Sequence, residues 1–431
     1  MIGSFRKKGL VAASAIVAIA GLALAAVPAQ AAEVGVTATS IKIGTTVPLT
    51  GIAGPGYAKV APAMKAYFDY VNANGGINGR KIEFTIKDDR YLPPVSVEKT
   101  NELILEDKVF AIVGALGTAN NLAVNSRVRL GSRGVPSLFV NTGFSGFADK
   151  KKFPTLFPLF SSYRMEAKIM GQYIKENFAG KKIGLIYQND DFGADALKGF
   201  ESAGVKFDVS LPYVSGTQGA ATATTWIQKM AAAKVEVVYI FGVTTATAAA
   251  VGVAAAAGYK PQWIFGSVGA DATTIVGQTT VPVALLNGAL SMSFMPDAAD
   301  TTDEYVKFFR EVNTTYNNNA TFDNNIMAGM NGAMMVAQAL KAAGANPTRK
   351  SLIAAIESKG STWASAGYPP IGFSSTSRVG YTGFWIGKYN ATGSLIPVEA
   401  KGTIFTTDSG TGPIVKTTSK RPALPAKGLP N

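Results

Sequence analysis

The sequence predicts an α/β fold made of two doubly wound parallel-sheet units, one following the other. Three observations predict it. Short β-branched runs alternate with helically spaced apolar residues from 41 to 140. After residue 163 the alternation starts again and continues to 265. Most strand-like runs end in small, polar, glycine-containing loops, as parallel strands covered by helices do.

The elements follow in order. Residues 41–47 form a β-rich run that ends in a proline and glycine loop at 48–56. In 57–71, Val60, Met64, Tyr67, Phe68 and Val71 share one helical face. Asn and Gly residues at 72–79 end that helix and turn the chain into a strand at 81–87, closed by Asp88 and Asp89. A helix at 95–106, a strand at 109–113, a helix at 120–130 and a strand at 135–140 complete the first unit. The second has helices at 163–178, 194–203, 222–232 and 246–257, with strands at 181–187, 206–213, 235–241 and 263–265. Beyond 290 the order changes. Helices at 302–316, 325–343 and 351–357 have no strands between them, which predicts a return to cover the first unit. Residues 381–389 are expected to pair as a hairpin with 396–404, and 408–431 to form a flexible basic tail.

Composition removes several kinds of chemistry. Of 431 residues, 47% are hydrophobic and 16% charged, which suits a large core. The absence of cysteine excludes disulfides, thiolate metal sites and lipid attachment to cysteine. The absence of histidine excludes a Ser-His-Asp triad and most zinc sites. No metal, cofactor or catalytic residue is expected. The formal charge is +13, of which Arg6, Lys7 and Lys8 carry three and Lys416, Lys420, Arg421 and Lys427 four. Attraction to an anionic surface and general solubility both account for the excess. No basic run alternates with aromatics, so no nucleic-acid partner is expected. Residues 1–31 read as a secretory signal: a basic start, an apolar run at 10–27, and Ala29-Gln30-Ala31 as the cleavage site. The expected product is an exported monomer, periplasmic or extracellular at the cell surface, and not a lipoprotein.

The stretch at 113–120, V-G-A-L-G-T-A-N, organises the candidate site. It reads as strand, glycine turn and helix start, where free amides and the helix dipole can hold a carboxylate. Thr118 either adds a hydroxyl to that site or caps its own helix. In open parallel sheets, ligands lie beyond the carboxyl ends of the strands. Those ends are the loops at 48–57, 114–120, 140–145, 188–193, 242–245 and 266–271, three from each unit. They supply Tyr57, Thr118, Asn120, Thr142, Thr244, Ser267 and few charges beyond Asp190, Asp191 and Asp271. This is an inventory for binding, without a convergent acid and base. Tyr163 and Arg164 stand just past the first unit, and Tyr91 either walls the cleft or packs at the surface. Asp88 and Asp89 read as a cation site or, more simply, a turn.

These residues resemble the type I periplasmic binding proteins of ABC importers, in the leucine/isoleucine/valine-binding branch. The resemblance covers 39 to 404. It rests on Ile41-Lys42-Ile43-Gly44, on Pro48-Leu49-Thr50-Gly51, and above all on the Asn-Gly-Gly-Ile-Asn-Gly segment at 74–79. Asp88-Asp89 and the run from Tyr187 to Gly193 follow at the family's spacing. The resemblance implies two lobes, 32–160 with 292–366 and 161–291 with 367–407. They are joined by a three-crossover hinge near Phe160, Met292 and Gly367 and close on a small solute. It places the solute carboxylate at Thr118, Ala119 and Asn120, adds backbone groups at Thr142 and Gly143, and adds a second-lobe wall near Thr244. Where the family has an acidic residue for an ammonium, this chain has Val268. Asp271, three residues on, is the candidate substitute; without it, the solute is a carboxylic acid or amide. The implied function is that of a receptor for an amino acid, amide or carboxylic acid, feeding an ABC permease. The same fold can serve as a sensory module for a receptor kinase or chemoreceptor, and an exported enzyme is a third class.

Overall fold

The computed structural model describes residues 1–4, 33–279 and 281–430; the expected leader falls almost wholly outside them. The first sheet contains β1 (Ser40–Val47), β2 (Lys81–Asp88), β3 (Ala111–Val113), β4 (Ser137–Val140) and β5 (Leu156–Pro158). Its order is β2-β1-β3-β4-β5, and every pairing is parallel. The connecting helices are α1 (Gly54–Tyr57), α2 (Val60–Ala73), α3 (Pro93–Leu105) and α4 (Thr118–Arg127). β1 lies between strands wound in opposite directions. The loops after β1 and β3 therefore part at the sheet's switch point and leave a crevice.

The second sheet repeats this plan. β6 (Ile183–Gln188), β7 (Val209–Tyr213), β8 (Val237–Phe241), β9 (Gln262–Phe265) and β10 (Leu290–Ser293) run in the order β7-β6-β8-β9-β10, all parallel. α5 (Tyr163–Asn177) leads into β6, and α6 (Asp191–Ser202), α7 (Ala220–Ala232), α8 (Thr244–Ala256) and α9 (Ala272–Gly277) lie between the strands. Helix starts follow from their caps: the Ser162 hydroxyl accepts from Met165 N, and Asp190 accepts from Phe192 and Gly193. The Asp190–Gly193 run is thus a capped helix start.

The chain then returns. α10 (Glu304–Tyr316) and α11 (Asn324–Ala342) pack against α2, followed by α12 (Arg349–Lys359). Gly329 makes the closest approach: a β-carbon there would overlap the Val60 carbonyl. The chain passes between the halves at 159–162, 294–303 and 363–382. These crossings touch one another: Phe160 lies 4.8 Å from Phe294, Phe294 stacks on Tyr381 at 5.0 Å, and Tyr381 N donates to Leu159 O (2.8 Å). Met292, expected at a crossing, lies inside β10.

Two expectations need correction. The return strand of the 381–404 hairpin is broken in two. β11 (Gly383–Tyr389) pairs with β12 (Leu395–Pro397) and then with β13 (Thr403–Thr406), separated by a turn in which Thr403 N donates to Ala400 O (2.9 Å). The tail is docked. β14 (Val415–Thr418) adds antiparallel to β13, and Leu424 and Leu429 pack on the main core. Its aperiodic, proline-containing sequence hides these contacts because they are all tertiary.

Candidate solute site

The two switch points face each other across one cavity with an internal volume of about 90 Å³. On the first half, Gly117 ends the loop after β3 with φ +98°. A β-carbon there would stand 2.6 Å from Asn120 Oδ1 and 2.9 Å from the Tyr91 ring, so the turn requires glycine. Gly117 is itself the N-cap of α4, and no side chain caps that helix. The Thr118 hydroxyl instead shares a 2.7 Å hydrogen bond with the Thr142 hydroxyl. The amides of Thr118, Ala119 and Asn120 have no backbone acceptor among the described residues, as expected for a first helical turn.

The loop after β2 brings in Tyr91. Arg90 and Tyr91 both have positive φ, +53° and +62°, an uncommon conformation for two successive side chains. Asp88 and Asp89 hold it by accepting from Arg90 N and Tyr91 N, each at 3.0 Å. The adjacent carboxylates are therefore turn builders. Burial pushes the Asp89 carboxyl up to about 6, and it also accepts from the Ser96 hydroxyl (2.7 Å). Asn120 donates to that same hydroxyl (2.7 Å), which points its side chain away from the cavity.

Of the residues expected at the site, Tyr57, Thr118, Tyr163, Val268 and Asp271 line the cavity. Ala119, Asn120, Thr142, Gly143 and Thr244 stand outside the lining. Thr142 supports Thr118 from behind, and the Gly143 carbonyl accepts from Tyr163 N (2.7 Å). Thr244 packs against Gly56 and donates to Val268 O (3.3 Å). The hinge adds a wall that the sequence reading missed: Phe294, Met295 and Asp297 from the second crossing, with Trp385 and Tyr389 from β11. Those two aromatics look like ordinary core residues of a buried strand. Only their position beside the crossing reveals the role.

Bonds across the cleft hold the halves together. Tyr57 Oη donates to Val268 O (2.6 Å), and Gln188 Nε2 donates to Tyr91 Oη (3.4 Å). Ser145 donates from its amide (2.7 Å) and hydroxyl (2.5 Å) to Asp195. Lys59 pairs with Asp323 and lies 3.8 Å from Asp271. Burial raises the phenols of Tyr57, Tyr91 and Tyr163, which keeps them neutral. Glu166, fully buried, accepts from the amide (2.6 Å) and hydroxyl (2.7 Å) of Ser267, a lining residue; burial pushes its carboxyl up to about 7.

Both lining carboxylates are engaged. Asp271 caps α9 through Thr274 N (2.7 Å), and Asp297 accepts from Ala299 N (2.9 Å) and Leu395 N (3.2 Å). Burial raises Asp297. No group of three or more metal-ligating acids is found among the described residues. Rings, alcohols and a free helix start enclosed between two alike halves define a cleft-type binding protein. A sequence profile of the periplasmic binding protein family matches residues 40–394, and the chain belongs to that family. A Leu/Ile/Val-binding protein homolog of Brucella melitensis is 26% identical over 203 residues, 47% of this chain and 54% of its own. The chain thus aligns with about half the length of that relative. A branched-chain amino acid ABC transporter structure from Thermus thermophilus, with bound valine, superposes with a TM-score of 0.74 at 18% identity, covering 86% of this chain and 97% of that one. A solute-binding protein from R. palustris in complex with benzoate gives 0.71 at 17% identity, covering 87% and 97%. These two likenesses concern the fold.

Proposed function

We propose that the chain is an extracytoplasmic receptor that binds a small organic solute between its halves and delivers it to an ABC permease. The observation that carries this reading is the cavity at the paired switch points, with the open start of α4 and Thr118 on one side. A carboxylate fits that start, where free amides and the helix dipole favour negative charge. Tyr57, Tyr163 and Val268 surround the rest of the molecule. Asp271 lines the cavity and is the carboxylate offered to an ammonium, although its Oδ1 already caps α9 and lies 3.8 Å from Lys59. The solute class is an amino acid, an amide or a carboxylic acid; the structures of like fold with bound valine and benzoate are consistent with that range. The leader expected from the sequence of residues 1–31 supports export, and no helix among the described residues is long and apolar enough to cross a membrane.

Thermal-shift and calorimetric screening of amino acids, amides and aromatic acids tests the reading. A true solute at a hundred times its Kd stabilises the protein by about 2.7 kcal/mol. If no member of these classes moves the melting temperature, the proposal fails.

A further inference from the structure

The C-terminal segment connects the two halves a fourth time. Its first anchor is on the second half. Lys168, from α5, is only 4% exposed, and its ammonium donates to Thr407 Oγ1 (2.7 Å) and to the carbonyls of Gly410 (2.9 Å) and Gly412. Asp408 pairs with it at 3.2 Å. Strand β14 then lies along β13 in the second sheet. The other anchor is on the first half. From α2, Tyr67 Oη donates to Gly428 O and Tyr70 Oη to Lys427 O, each at 2.6 Å. From α10, Tyr305 Oη donates to Pro422 O (2.8 Å).

Arg421 lies between the anchors, on the hinge. Its guanidinium donates to Ala366 O (2.6 Å) in the third crossing and to Asp303 Oδ2 (2.5 Å) at the end of the second. It also covers the Tyr305 and Tyr368 rings, with its carbon 4.4 Å and 5.1 Å from their centroids. The side chains of Arg421 and Asp303 are 12% and 2% exposed, so the pair is largely out of water.

We propose that residues 407–430 are a strap that holds the halves in their closed arrangement, with Arg421 as its pin at the hinge. The anchors belong to different moving bodies. β14 ends at Thr418, and from there to Arg421 the chain can span at most about 11 Å, so the link between the anchors is short. Any rotation that carries the α5 anchor away from the α2 and α10 anchors stretches the strap or releases one of them. The strap biases the population toward closure before any solute arrives.

The absence of cysteine permits a direct test. Ser126→Cys on α4 and Gln228→Cys on α7, both exposed, give one label pair across the cleft. Inter-label distances are measured without solute, so the result does not depend on the solute reading. Arg421→Ala is expected to shift the distribution to longer distances and raise the open fraction about tenfold. The double variant Tyr67→Phe, Tyr70→Phe keeps the rings, releases the far anchor and is expected to shift it in the same direction by less. If Arg421→Ala does not fold, Arg421→Lys is measured in its place; it keeps the charge but loses the forked donation. Unchanged distances in the folded variants, with only the melting temperature lowered, would overturn the strap and leave these contacts as ordinary packing.

Discussion

The two halves share one strand order yet present different chemistry at their switch points. The first half offers a glycine turn, an uncapped helix start and Thr118. At the equivalent place the second half offers Val243, the N-cap of α8, and beyond β9 the Ser267–Val268 pair, fixed from beneath by Glu166. On the proposed reading, the first half holds a polar end of the solute and the second walls it. A common topology fixes where a site lies; the few residues after each strand fix what it does.

This contrast can be broken at its strongest point. Gly117→Ala puts a β-carbon into a conformation open essentially to glycine and into contact with Asn120. It should cost about 3 kcal/mol of stability, with solute binding lost, read by thermal melting and calorimetry. An unchanged melting temperature would show that the turn tolerates a side chain.

On the second half, Glu166 gives a comparable effect through pH. Its carboxyl stands near 7 in the folded state against an ordinary 4.5, so the folded protein holds the proton more tightly. Stability therefore falls as pH rises from about 4.5 through 7, by about 3 kcal/mol in total for a shift of this size. Glu166→Gln should flatten that part of the stability–pH curve; a parallel curve would mean that other acids cause the slope. Asp89 and Asp323, both pushed up to about 6, add slope of the same sign and remain in the variant.

Smaller changes sharpen the comparison. Thr118→Ala should weaken a carboxylate solute by about 1–3 kcal/mol, as for a lost hydrogen bond to a charge, and Thr118→Ser should restore most of it. Unchanged affinity would assign Thr118 to the Thr142 pair alone. Thr244→Val should cost below about 1 kcal/mol in affinity, because that hydroxyl serves Val268 O and stays outside the lining. A larger loss would move Thr244 into the site.

The sheets and the cleft were legible because each strand closes with local punctuation: glycine, proline or a hydroxyl. Tyr57 and Thr118 come directly from that pattern. Asn120 does not face the cavity because two residues along a helix is about 200° around it. β5 and β10 were missed because neither contains a β-branched residue: β5 is Leu156-Phe157-Pro158 and β10 is Leu290-Ser291-Met292-Ser293. Trp385, Tyr389 and the 294–297 segment depend on where the crossings meet, which no local pattern encodes. The tail escaped for a similar reason, since tyrosine hydroxyls distant in sequence secure it. Two of its four cations are also engaged internally, Lys416 with Glu399 and Arg421 with Asp303.

The packing of α11 on α2 bears on the order in which the chain matures. The helices that cover α2, α10 and α11, start only at residues 304 and 324, after the whole second sheet's parallel portion has been synthesised. A ribosome-bound chain must carry the apolar side of α2 uncovered throughout that interval, with long-range contacts that form slowly. Late completion exposes the nascent protein to aggregation.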